Sequence, residues 1–439
     1  LMAQLGQNSR NSHLPPSSDG PAGRPPEKKP PRGDAKKKRG GQPGHEGHKR
    51  ELLPVEKVNK VVELYPGECE NCWAALPEVR DENATRYQVT EMPPVQPHTT
   101  EFRRNAVACG CCGYTTLAKV DQVPASPFGP QLMSLITLLT GVYHISRRHT
   151  VELLHDVLGV RLSLGAVSAV EARVSDAIAP AVQEASDAIA GAKVKHADAT
   201  SWLEAGKLRS LWTIATSAVT VFKIFVDGSA DTIKPFFGAC KGILVSDRAK
   251  VLSFWDMARR QVCWAHLLRK FVSFSERDGP AGQLGRELLD ATAVMFRYWR
   301  DLRANKLDRA QFYAWMTPLR TQVEACLERA AAAGIADFSG SCADILAHRE
   351  ALWTFVERTD VEPTNNHAER ELRRFVLWRK RSFGAQSERG HLFAERVMTV
   401  AHTARKQGKN VLAFLTACCK AQLSATAAPS LLAAESVVA

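Results

Sequence analysis

The chain is 439 residues long, 45% hydrophobic and 24% charged, a composition that excludes a disordered polymer and allows about three domains. Its 58 Lys and Arg against 46 Asp and Glu leave a formal net charge of +12, which suits a polyanionic partner such as nucleic acid. The longest near-apolar run, residues 132–145, is interrupted by Ser, Thr, Gly and His and falls short of the ~18 residues a membrane span needs. Residues 1–10 lack the apolar stretch of a secretory signal, so the eleven cysteines are expected in a reducing cytoplasm, as thiols or metal ligands. The phosphate-loop, zincin, nucleophile-elbow and dinucleotide fingerprints are all absent, which argues against those enzyme classes.

Residues 1–50 hold eight of the 23 prolines and eleven Lys/Arg against four Asp/Glu, a composition that cannot build a packed core. The run Lys36, Lys37, Lys38, Arg39 before a Gly-rich stretch suits a phosphate backbone by counterion release, or a solubilising tail. Residues 51–120 change to short apolar alternation, at 57–64 and 87–90, and read as a small β-rich module. It carries two C-x-x-C pairs, Cys69 with Cys72 and Cys109 with Cys112. Four thiolates at that spacing close a structural zinc site, with Cys111 as a competing ligand. Residues 121–190 read as helices over 131–143, 150–158 and 163–178. The second pair is either a helix-turn-helix or two packed helices of a linker domain.

From 191 the pattern predicts three strands (194–198, 208–217, 219–226), a helix over 231–240, a strand over 242–247, a helix over 249–259 and a strand over 261–264. This β-β-β-α-β-α-β succession in residues 191–274 is the α/β order of a ribonuclease H-like fold, in which the first and fourth strands lie side by side. Residues 275–360 read as an all-α insertion, with Trp299, Trp315 and Trp353 as core anchors. The second part of the core follows at 361–415, with a helix over 363–379 capped by Thr364 and another over 390–404. Residues 416–439 form a tail expected to fray from about Ala421.

Three acids stand where a two-metal phosphoryl-transfer site needs them: Asp198 and Asp247 at the ends of neighbouring strands, and Glu369 on a helix over the sheet. Singly, each has a plainer reading, as a turn former or as a partner of Arg373. The stretch 363–381 carries six Lys/Arg against two acids, and Asn366, Arg370, Arg373, Arg374, Arg379 and Lys380 read either as a phosphate track or as an ordinary charged helix face. Cys263 and His266, a C-x-x-H pair after the last strand, either brace the site or serve the core.

Several of these strings, in their order, resemble transposases of the insertion sequence 66 family, of the DDE type with a ribonuclease H-like catalytic domain. They are Asn8 to Ser12 with Pro15 to Asp19, Arg39 to His45, the two cysteine pairs, Cys263-Trp264-Ala265-His266, and Asn365-Asn366-x-Ala368-Glu369-Arg370 with Arg379-Lys380. The resemblance implies that Asp198, Asp247 and Glu369 are catalytic acids holding two Mg²⁺ ions, that the cysteines hold zinc, and that DNA is cleaved and its strand transferred. It further implies a homo-oligomer on element ends and target DNA, companion proteins encoded by the element, and a nucleoid-associated place in a bacterial cytoplasm. Two features depart from the family. Asp198-Ala199-Thr200 stands where the family usually reads Asp-Glu-Thr, and only Leu1 to Gln7 precede the Asn/Ser string, which predicts weaker self-association. These departures keep open a catalytically weak or inactive DNA-binding regulator, beside a structure-selective nuclease of the same fold.

Overall fold

The computed structural model describes residues 50–119, 124, 126–238 and 240–432; the basic stretch with Lys36, Lys37, Lys38 and Arg39 lies outside them. Among the described residues, 50–96 form one unit and 97–432 another, a division that falls inside the 51–120 stretch. In the first unit the expected strands at 57–64 and 87–90 do not form; its regular structure is a 3-10 turn over Val55–Lys57 and a bridge between Glu68 and Ala75. Leu64 and Tyr87 are 87% and 89% exposed, so neither alternating run finds an apolar layer to bury one face against, and isolated pairs of strands are marginal without one. Side chains take the place of a ladder. The Leu53 carbonyl accepts from Arg86 and Gln88 at 2.7 and 2.9 Å, and Leu53 N–H donates to Gln88 Oε1 at 2.8 Å.

The second unit opens with an antiparallel hairpin, β1 (Ala106–Ala108) and β2 (Thr115–Leu117). Helices α1 (Pro130–Thr137), α2 (Arg147–Leu158), α3 (Leu164–Ala177) and α4 (Ala179–Gly191) follow, with a π-helical turn over Leu138–Val142. Ser146 and Ser163 cap α2 and α3, each accepting an amide bond from the first turn at 3.1 Å, as short hydroxyl side chains do at helix starts. The buried Val167, Val170 and Val174 of α3 join the same core as the sheet.

The sheet contains β3 (Val194–Glu204), β4 (Lys207–Ala215), β5 (Thr220–Phe225), β6 (Ile243–Ser246) and β7 (Arg260–Val262), with α5 (Ala230–Phe237) between β5 and β6. Its order is β5-β4-β3-β6-β7, the first three strands antiparallel and the last two joining in parallel. The first and fourth strands are neighbours, as expected. Gly242 leads into β6 at φ +83°, where a Cβ would stand 2.2 Å from the Lys193 carbonyl oxygen; only glycine lets β6 close on β3 there. The helix expected over 249–259 is replaced by two 3-10 turns, Lys250–Leu252 and Met257–Arg259. Asp256 accepts from Ala258 N–H at 3.1 Å and Trp255 Nε1 donates to the Arg259 carbonyl at 2.9 Å, local bonds that compete with a continuous helix.

After β7 come α6 (Trp264–Ser275), α7 (Gly279–Arg303), α8 (Arg309–Ala332), α9 (Ser339–Leu346), α10 (Arg349–Leu352) and α11 (Thr354–Glu357). Leu288, Met295, Phe312, Phe338 and Trp353 of these helices and their loops form one core with Val245 of β6 and Val262 of β7. Trp353 is fully buried and Trp299 packs on Phe312 and Phe355, but Trp315 is 45% exposed against Tyr298 and is not an anchor. Then follow α12 (Asn366–Ser382), α13 (Glu388–Lys406) and α14 (Val411–Leu423). The stretch from Ala421 does not fray throughout: Leu431 is fully buried, and its N–H donates to Glu184 at 2.6 Å.

Helix α13 covers the free edge of β5. The N–H groups of Ile224, Phe222 and Thr220 donate to Glu395, Thr399 and Thr403 at 2.7, 3.1 and 3.1 Å. Acceptors one helical turn apart advance about 6 Å, and alternate strand residues advance about 6.6 Å, so the two spacings match. An edge that would otherwise be open to pairing is thereby satisfied within the chain.

Candidate active site

The sheet opens where β3 and β6 part. Their last paired residues are His196 and Val245; Asp198, within β3 and paired there with Thr213, and Asp247, just after the end of β6, each stand two residues further on. That is where open α/β sheets bind ligands. Fully buried Arg260 fixes the floor: its guanidinium donates to the Asp247 carbonyl at 2.7 Å and the Ser246 hydroxyl at 3.3 Å. One carboxylate oxygen of Asp247 accepts from Ala249 N–H at 3.0 Å, which sets the side-chain rotamer.

Glu369 arrives from the first turn of α12 because both ends of that helix are tied to β3. At the start, the fully buried Asn365 donates its Nδ2 to the Ala197 carbonyl at 2.7 Å, sets its Oδ1 3.3 Å from His196 Nδ1, and donates its backbone N–H to Cys263 Sγ at 3.1 Å. These bonds occupy the side chain that would otherwise cap the helix, and neither Asn365 nor Thr364 serves as a side-chain cap. At the far end Ala385 N–H donates to the Leu203 carbonyl and Ala205 N–H to the Ala385 carbonyl, both at 2.9 Å. Gly384, at φ +86°, makes the approach possible: a Cβ there would stand 2.1 Å from the Leu203 oxygen.

The three acids therefore share one electrostatic site. Burial first, then the negative charges of Asp247 and Glu369, push the Asp198 carboxyl well above its usual range, although part of the residue remains open to solvent. Burial also raises Glu369, with Arg269 opposing and Asp247 adding to the rise. Like charges held together in a partly desolvated site destabilise each other's ionised forms, and a divalent cation on the same oxygens would relieve that repulsion. Arg269 lies 3.5 Å and His266 Nδ1 3.6 Å from Glu369 Oε1. Cys263, His266 and Glu369 bring their ligand atoms within 4.8 Å of one another. Burial pushes the Cys263 thiol up to about 12, which suits a neutral brace accepting the Asn365 amide.

Glu371, two residues on, has the opposite fate. Burial alone would raise it, but hydrogen bonds from His402 and Lys406 hold it down to about 2. It anchors α12 to α13 and takes no part in the acid cluster. Ala199, at the position of the family's second acid, is exposed and projects to the opposite face of β3 from Asp198 by strand alternation. An acid at 199 would not join the cluster.

The basic residues of α12 divide. Asn366, Arg370, Arg373, Leu377 and Lys380 recur at steps of four and three and are all exposed, so they form one stripe along the helix; Arg374 is exposed beside it. Arg379 is not available in the same way, because its guanidinium is bound to the Ser201 carbonyl and hydroxyl and lies 3.3 Å from Thr200 Oγ1. Sequence reading missed Arg260 and Arg269 and gave Asn365 no role beyond its place in the Asn365-Asn366 string. For Arg269 a signal existed, since Cys263, His266 and Arg269 recur at intervals of three on one helix face; for Arg260 there was none, because it acts on a backbone atom distant in sequence.

The two cysteine pairs lie in different units and fold alike. Cys69 N–H donates to the Ala74 carbonyl and Trp73 N–H to the Cys69 carbonyl, both at 2.9 Å; Cys109 with Tyr114 and Gly113 repeats both bonds at 2.9 Å. Trp73 and Gly113 close these turns at φ +57° and +72°. Backbone N–H groups of Asn71 and Cys72, and of Cys112 and Cys111, point at the first sulfur of each pair and lower its pKa, the environment that favours a thiolate ligand.

The model of the Transposase IS66 family matches residues 125–392, and a family of unknown function matches residues 1–51. No curated protein matches the chain.

Proposed function

The chain belongs to the IS66 family of transposases, and on that premise we propose that it is a metal-dependent DNA transposase of the DDE type with a ribonuclease H-like core. The observation that supports the reading is that the charges of Asp247 and Glu369 both act on Asp198 and raise it. The strand order β5-β4-β3-β6-β7 supports the fold. Hard oxygen ligands on two neighbouring strands and a helix fit two Mg²⁺ ions, which when bound would sharpen the attacking oxygen and steady the leaving oxygen.

Each residue has a role that follows from its place. Asp198 and Asp247 present carboxylates from a floor held rigid by Arg260, and Glu369 faces them from α12. Arg269 is the cation beside Glu369 in the protein alone, and it is placed to meet a phosphate oxygen once the acids are neutralised. The exposed stripe of Arg370, Arg373 and Lys380 tracks a DNA backbone away from the acids. Water attacks the phosphodiester at an element end, and the freed 3′-hydroxyl then attacks target DNA, both in line and without a covalent enzyme intermediate. Each cysteine turn presents a pair of thiols at the spacing of structural zinc ligands, with no part in catalysis. Assembly into an oligomer on paired ends, with companion proteins of the element, belongs to the same reading.

The test is Asp247→Asn. The substitution keeps the Ala249 contact geometry and removes a charge, so DNA binding persists while metal-dependent cutting of end DNA and strand joining fall by at least a thousand-fold. Cutting at the wild-type rate would refute the assignment. Cutting without any joined product would point instead to a nuclease.

A further inference from the structure

A second site lies at the other end of α12. A cleft of about 290 Å³ runs between the π-helical turn after α1, the start of α2 and the loop joining α12 to α13. This is the size of a small ligand pocket. Three independent features converge on it. The π-helical turn over Leu138–Val142 ends beside it, and such turns cluster at functional sites. His144 holds φ +58°, a left-handed conformation that a non-glycine residue keeps only where the surroundings impose it. The imidazole lies flat on Trp378, with ring centroids 4.6 Å apart and planes 20° apart, and Trp378 is stacked in turn on Phe375 at 5.8 Å and 28°.

The lining is aromatic and positively charged. Arg147 is neutralised by the buried Glu171, with Nε at 3.0 Å from its carboxylate. Arg381 and Arg389 remain as the excess charge of the lining, with Arg389 held by a 2.8 Å bond to the Ser168 carbonyl. Burial first, then Arg374 and Arg381, hold His144 down to about 4, so the ring stacks as a neutral imidazole at neutral pH. Stacked rings beside guanidinium groups are the chemistry by which proteins hold a base and its phosphate.

We propose that this cleft takes one unpaired nucleotide of DNA, with its base against the His144–Trp378 ring pair and its phosphate against Arg381 and Arg389. The inference rests on the transposase reading for the identity of the polymer. From Glu369 to Arg381 is twelve residues of helix, about 18 Å, or roughly five nucleotide steps at the duplex rise. The exposed stripe of α12 spans that distance. A strand whose reacting phosphate lies at the acids thus reaches the cleft about five nucleotides away.

The experiment measures binding of the full chain, by fluorescence anisotropy, to a labelled oligothymidine strand and to an abasic strand of equal length and charge. Wild type favours the strand that carries bases. His144→Ala weakens the oligothymidine complex by roughly ten-fold and leaves the abasic complex unchanged. Equal losses on both strands, or none on either, would overturn the assignment. Heparin binding with the same dependence on His144 would also overturn it, in favour of a general acidic-polymer site. Should His144→Ala fail to fold, Arg381→Ala alters an exposed side chain; it lowers the salt slope of log affinity by about one, and an unchanged slope refutes the phosphate contact. Wild type that cuts end DNA but shows no base preference refutes the cleft alone, and wild type that prefers bases while Asp247→Asn still cuts refutes the enzyme reading alone. A chain that binds neither strand refutes both.

Discussion

Asn365→Ala tests how the acid cluster is assembled. The wild-type side chain is fully buried and joins helix α12 to β3 through the 2.7 Å bond to the Ala197 carbonyl and the contact with His196. Truncation leaves the Ala197 oxygen and the His196 Nδ1 without that partner. One buried group left unsatisfied costs about 1–3 kcal/mol, and with the small void the expected loss is about 2–4 kcal/mol. Urea unfolding followed by tryptophan fluorescence measures it. A second readout separates positioning from bulk stability, since Glu369 N–H reaches back to the Asn365 carbonyl at 3.3 Å. Loosening that first turn misplaces the carboxylate, and Mn²⁺ affinity by calorimetry falls at least ten-fold at a temperature where the variant remains folded. Unfolding within about 0.5 kcal/mol of wild type, together with unchanged Mn²⁺ affinity, would refute the claim that this side chain sets the site.

Two further outcomes follow from charge and metal. His144 has a folded pKa of about 4, below the ~6.5 of an unfolded imidazole; its contribution to stability is therefore complete above about pH 6.5 and is lost as pH falls toward 4. Between pH 7 and pH 5 the loss is about 1–2 kcal/mol, and His144→Gln, which does not titrate, shows that much less acid destabilisation in urea midpoints; an identical pH profile would show the imidazole to be unperturbed. For the cysteine turns, the purified chain is expected to carry zinc by elemental analysis, released on titration with a mercurial, with Cys69→Ser and Cys109→Ser each lowering retention. Full retention in either variant would show that its cysteine is not a ligand.

The candidate site was legible where chemistry is written in residue type and order. Asp198 and Asp247 lie on or just after strands that the apolar alternation marks, and Glu369 begins a helix rich in arginine, so the order of elements alone proposes their meeting; β3 runs on past Asp198 to Glu204. The parts that hold them there were not legible. Asn365 and Arg260 act on the carbonyls of Ala197 and Asp247, and a bond to a backbone atom leaves no pattern that names its partner, although Asn365 itself stands in the Asn365-Asn366 string. The misread strands at 57–64 and 87–90 fail for a related reason: alternation reports a face that can be buried, and only the presence of a second layer decides whether it is.

By itself the sequence determined the five strands of the main sheet and most helices, because hydrophobic period and turn residues act over a few neighbours. Tertiary structure decided which charges are shared and which are spent. Glu369 and Glu371 stand two residues apart on one helix, yet one faces the acids and is raised while the other meets His402 and Lys406 and is held to about 2. Arg379 and Lys380 are adjacent, yet the first is bound to β3 and the second is exposed. A helix turns about 100° per residue, so neighbours in sequence face different surroundings, and those surroundings come from strands and helices far along the chain.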